Sequence, residues 1–148
     1  MLTVIGIKKK LIRGAVLTLF ALALSFSRSV LAVEYIYNHK EQEQQLSEFN
    51  LRAIFTSRMR RWPDGTPVKL VTYNYDNSVF INVCSKMKIY PINFKRVWDM
   101  VVYSGGGDGP IFVENKEEML KVVKTTPGAI GYLETVEKGD EINVLRID

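Results

Sequence analysis

The chain has 148 residues, with 20 basic and 16 acidic side chains, one cysteine and one histidine. A single cysteine excludes an internal disulfide, and one histidine far from one cysteine leaves no metal-ligand spacing. Residues 1–32 hold five of the basic residues (Lys8, Lys9, Lys10, Arg13, Arg28) and none of the acidic ones, which leaves 15 against 16 in 33–148 and removes any argument for nucleic-acid binding from basicity.

Residues 1–32 read as a secretory signal peptide. A basic start leads into an apolar run over 14–26, and Val30-Leu31-Ala32 places short residues where a signal peptidase cuts. The run is shorter than the roughly 20 residues that a spanning helix needs. An uncleaved anchor is the other reading. No cysteine follows the run, so a lipid anchor has no support. Residues 33–148 are then one domain, periplasmic or secreted, with no transmembrane helix once the signal is removed.

Val33 to Tyr37 is β-branched and aromatic and predicts a strand. A polar loop over 38–45 carries His39, which has no local support for a metal or catalytic role and is expected at the surface. Ser47 is placed to cap a helix, with Leu46 and Leu51 as a hydrophobic staple. Leu51, Ile54 and Phe55 supply its inner face, and the helix should end near Arg58. Trp62-Pro63-Asp64-Gly65-Thr66-Pro67 is turn chemistry. A strand buried on both faces follows over 68–75.

Asp76 or Asn77 can cap a second helix over 78–88, with Val79, Phe80, Val83 and Met87 inward. Cys84 falls in it and reads as a small buried hydrophobe. Tyr90-Pro91 interrupts. A third helix over 93–103 has Phe94, Val97, Trp98 and Val101 at helical spacing, with Trp98 in the core. A glycine loop over 104–110 cannot be helix. Asn115 and Glu118 open a fourth helix with Met119, Val122 and Val123 inward, and Lys121 and Lys124 suit its C-terminal dipole. Pro127-Gly128 stops it. A strand over 129–133 contains Gly131, which implies close approach of a neighbour. A charged turn over 137–141 precedes a last strand over 142–147. Strands alternating with helices give one α/β domain.

Three places could hold a ligand. The loop Ser104-Gly105-Gly106 could turn backbone N–H groups toward an anion, or its glycines could serve the backbone alone. Asn77 and Ser78 open a helix whose N-terminus suits a phosphate-like anion, or they are an ordinary cap. Arg58, Arg60 and Arg61 beside Trp62 could dock an anion or an acidic partner, or form a solvated basic helix end. No motif for a cofactor or for catalysis is present, and the chain reads as a binding protein, not an enzyme.

In chain order, Leu46-Ser47, Ile54-Phe55, Trp62-Pro63-Asp64-Gly65, the strand to Tyr75, Trp98 with Ser104-Gly105, and Thr126-Pro127-Gly128-Ala129-Ile130-Gly131-Tyr132-Leu133 resemble the periplasmic phosphate-binding proteins of ABC transporters. The similarity covers nearly all of 33–148 and is that of a single-lobe, truncated member. It implies a single three-layer lobe of the periplasmic binding protein-like type II fold, a mixed sheet flanked by helices. It also implies phosphate or another small anion as ligand, and an ABC transporter or another envelope protein as partner. The family's Ser-Gly-Thr at the oxyanion is Ser78-Val79-Phe80 here, so only the serine is kept. One lobe offers one wall, and a homodimer would supply a second. The alternative is an envelope interaction module that keeps the fold without the ligand.

Overall fold

A computed structural model of the protein describes residues 33–39 and 45–147. The signal peptide expected at 1–32 lies outside them, as does most of the polar loop. The elements are β1 (Glu34–Tyr37), β2 (Gln45–Leu46), α1 (Glu48–Phe55), β3 (Lys69–Tyr73), α2 (Ser78–Lys86), α3 (Pro91–Tyr103), β4 (Ile111–Val113), α4 (Lys116–Thr125), β5 (Ala129–Leu133), β6 (Asn143–Val144) and β7 (Arg146–Ile147).

Five strands form one sheet in the order β4-β3-β5-β1-β6. β3 runs parallel to β4 and β5, while β1 is antiparallel to β5 and β6. The sheet is therefore mixed, with βαβ crossovers supplying the parallel half. β2 and β7 pair separately, in parallel.

Successive residues of a strand face opposite sides, and β5 shows what each side meets. A Cβ on Gly131 would lie 2.6 Å from the Met119 sulfur and 3.0 Å from Val123, so α4 sits directly on that face. Tyr132 points the other way, into rings from three helices. It meets Phe55 of α1, Phe55 meets Phe94 of α3, and Phe94 meets Phe80 of α2. Tyr132 also shares a buried 2.7 Å hydrogen bond with the Thr72 hydroxyl, which satisfies both groups inside the core. The result is a three-layer α/β lobe.

The helix starts follow their caps. Ser47 accepts from the Asn50 N–H, Asn77 from Val79, and Asn115 from Glu118. Glu118 in turn accepts from the Glu114 N–H, one residue before the expected partner. Cys84 is buried, and desolvation pushes its thiol up to about 11.

Several expectations are corrected. α3 begins at Pro91, because proline at the first helical position loses no needed N–H and already has a helical φ. β4 was not expected. The last strand is two short ones, because Asn143–Val144 pair with β1, the Leu145 N–H still reaching the Tyr35 carbonyl at 2.7 Å, while Arg146–Ile147 pair with β2. His39 is 7% exposed instead of lying at the surface. Its ring packs on Trp62 with centroids 5.1 Å apart, and its Nε2 is 3.1 Å from Asp64 Oδ2.

Candidate functional site

The sequence candidates fall at two opposite ends of β3, about 13 Å apart at the rise of an extended strand. Asn77 and Ser78 lie beyond its C-terminal end. The glycine loop and the arginines lie at its start, beside Lys69.

At the C-terminal end, the chain leaves β3 through Tyr73 and turns at Asn74 and Asn77 into α2. A pocket of about 330 Å³ opens there, lined by Tyr73, Asn77, Asn115, Lys116, Glu114 and Glu134, among others. Ser78 is exposed beside it. Two helix N-termini, those of α2 and α4, meet at this end. Each leaves backbone N–H groups beyond its cap and a positive dipole end. Tyr73 is 4% exposed, and its hydroxyl has no hydrogen-bond partner among the described residues. Burial first, and then the charges of Glu134 and Glu117, push that hydroxyl up to about 12, so it stays protonated and remains a donor.

Sequence reading missed the acidic rim of this pocket. Lys116 bridges Glu137 at 2.9 Å and Asp140 at 3.2 Å, and these partners hold it above its ordinary value. Asp140 is held low, chiefly by the Glu137 N–H. Glu114 and Glu134 remain exposed, with no cation in ion-pair reach among the described residues. For Glu134 the available signal was its position immediately after the expected strand over 129–133; Glu114 follows β4, which was not expected, and had no such signal.

At the other end, of the two readings of the loop Ser104-Gly105-Gly106, the hydrogen bonds favour the one in which its glycines serve the backbone. The Ser104 N–H goes to the Met100 carbonyl, Gly105 to Val102 and Gly106 to Val101. The Ser104 hydroxyl also turns back to Val101. These bonds close the end of α3, with Gly105 in the left-handed region at φ 68°. The N–H groups of Ser104, Gly105 and Gly106 are thus already spent.

The loop instead meets the arginines. Arg60 donates to the Gly106 carbonyl and Arg61 to the Gly65 carbonyl. Arg58, Arg60 and Arg61 line one groove of about 950 Å³ with Gly106, Gly107 and Asp108. Two candidates read separately thus form one surface. Trp62 is not part of it. Its indole is 2% exposed and donates to the Gly128 carbonyl at 3.0 Å, which corrects its placement in the patch.

No family model and no curated protein matches the chain. Solved structures do. PstS from Borrelia burgdorferi is similar with a TM-score of 0.58 at 14% identity, over 79% of this chain and 47% of that one. A protein from Clostridium perfringens, described as a phosphate ABC transporter substrate-binding protein with bound phosphate, gives 0.63 at 12% identity, over 80% and 46%. An ABC-type phosphate transport receptor from Vibrio cholerae gives 0.59 at 14%, over 79% and 47%. The chain spans just under half the length of these proteins, and at such identities the likeness establishes the fold: an α/β lobe like one lobe of a solute-binding protein.

Proposed function

We propose that this lobe is an exported, solute-binding-like module, not an enzyme, that holds phosphate or a related oxyanion at the C-terminal end of β3. The observation that carries the reading is the meeting, in one pocket, of Asn77 at the α2 N-terminus, with Ser78 exposed beside it, and the protonated Tyr73 hydroxyl, which has no hydrogen-bond partner among the described residues. Helix N-termini suit anions, and ligands of open α/β sheets sit outside the strand C-termini. The bound phosphate of the Clostridium perfringens protein supports the same ligand class. Glu114 and Glu134 oppose an anion and leave it half solvated, so binding is weak. A second copy, or a transporter or envelope protein, would supply the other wall.

Calorimetric titration with phosphate, sulfate and small carboxylates tests this. Heat and a rise in melting temperature at millimolar phosphate are expected. Their joint absence defeats the reading. A second reading, an envelope interaction module, is favoured by the arginine groove at the opposite end of the strand.

A further inference from the structure

The arginine groove has the features of a surface made for an acidic chain. Three guanidiniums follow within four residues of one bend, after α1 ends. Among the described residues, Arg58, Arg60 and Arg61 have no carboxylate in ion-pair reach. The acid on the groove wall, Asp108, is held by Lys69 at 2.7 Å, and that bond keeps its carboxyl below the usual range. Three cations are therefore left uncompensated on a domain whose own net charge is near zero.

The bend is rigid. Val68 donates to the Arg60 carbonyl, Thr66 accepts from the Trp62 N–H, and Trp62 is anchored in the core. Arg60 is further fixed on Gly106. Guanidiniums held by such a frame lose less freedom when they pair with carboxylates, and they can pair through two bonds each.

The groove is also partly apolar. Met59, Val68, Val101 and Trp98 line it, and Phe49 stands on its rim, 75% exposed. Its volume of about 950 Å³ is at the upper end for whole ligand sites and far exceeds what one oxyanion fills. The shape argues against a membrane surface. The most exposed apolar residue of α3, Tyr103, is two positions beyond groove-lining Val101, about 200° round the helix, and does not line the groove. The arginines thus share their surface with Phe49 but not with Tyr103, so the exposed apolar side chains do not form one face with the cations.

We infer that this groove docks an acidic peptide segment of a partner protein, its carboxylates on Arg58, Arg60 and Arg61 and an apolar side chain against Met59 and Phe49. The inference rests on the interaction reading and is independent of the oxyanion site at Ser78.

Fluorescence anisotropy tests it with a labelled peptide of Asp and Glu interspersed with Leu, against the same peptide carrying Asn and Gln. The acidic peptide should bind at low salt and weaken steeply as salt rises. The double substitution Arg58→Gln, Arg61→Gln, which spares the Arg60 bond to Gly106, should weaken it about tenfold or more. Phe49→Asp, at an exposed position with no role in the core, should also weaken it at unchanged melting temperature. Ser78→Ala should leave it unaltered, whether or not phosphate binds. Equal affinity for the Asn/Gln peptide, no binding at low salt, or insensitivity to both groove variants overturns the proposal. So does binding to phosphatidylglycerol vesicles without binding to the peptide.

Discussion

The Trp62 indole donates to the carbonyl of Gly128 across 66 positions of sequence, at 3.0 Å and out of reach of solvent. The same carbonyl accepts the Lys69 N–H that starts β3. One atom thus ties the turn before β3 to the turn before β5. Gly128 must be glycine for this to happen, since its φ is +77° and a Cβ would lie 2.3 Å from the Pro67 carbonyl oxygen.

Trp62→Phe keeps an aromatic ring but removes the donor and part of the volume. Lys69 still satisfies the Gly128 carbonyl, so no orphan is left. The cost is one buried hydrogen bond and a small cavity, together about 1–3 kcal/mol. Urea unfolding should show a lower midpoint with an unchanged slope. A midpoint equal to wild type would mean that the two turns are held together by other bonds.

Ser57→Gly should stabilise the protein. Ser57 follows α1 with φ 57°, in the left-handed region where a side chain costs about 1 kcal/mol and glycine costs none. Its hydroxyl is buried and has no partner among the described residues. The substitution removes both penalties, while the bonds from Ser57 to Ile54 and from Arg58 to Ala53 are backbone and survive. A gain of about 1–2 kcal/mol in unfolding free energy is expected. A loss would show that the hydroxyl is satisfied in solution.

Asp64 makes stability depend on acid. Its carboxylate accepts the Thr66 N–H at 2.8 Å and the Thr66 hydroxyl at 2.7 Å, and with the nearby His39 these hold its pKa below the ordinary 3.8. A carboxyl depressed in the folded state adds stability that is present above the unfolded value and is lost as pH falls through the folded one. The contribution should therefore fade below about pH 3.8 and be constant at neutral pH. Asp64→Asn removes it, so the variant should be less stable near neutrality and should lose less on acidification. Urea midpoints measured from pH 6 downward would refute this if the two proteins kept parallel profiles.

The scaffold was legible wherever one local signal fixed one element. Ser47, Asn77 and Asn115 cap the helices they were expected to cap, and Gly131 marks the crowded strand. These are short-range effects. The misreadings involve partners distant in sequence. His39 looks polar and loop-bound, yet Trp62 and Asp64 bury it. The last strand divides at Leu145 because its two halves pair with different partners, β1 and β2, both about a hundred residues earlier. The glycine loop and the acidic rim depend on distant partners in the same way. Ser104-Gly105-Gly106 has the composition of an anion loop, but whether its donors are free depends on how α3 ends. Glu114 and Glu134 reach one pocket only when β4 and β5 line up on either side of β3.

That last pair carries the sharpest test of the oxyanion reading. Ser78 is exposed at the first position of α2 and caps nothing, since Asn77 performs that role. Ser78→Ala should weaken phosphate binding by about three- to tenfold, the range for one hydrogen bond to a charged ligand in a half-open site. Ser104→Ala should change nothing, because its hydroxyl is turned back to Val101. Glu134→Gln should tighten binding, because it removes a charge that opposes the anion without altering size. The gain should shrink as salt screens the exposed carboxylate. If Ser104→Ala weakened binding more than Ser78→Ala, the anion would sit at the other end of β3. If Glu134→Gln left the affinity unchanged at low salt, the ligand would lie out of reach of this rim, and the strand-end site would be refuted.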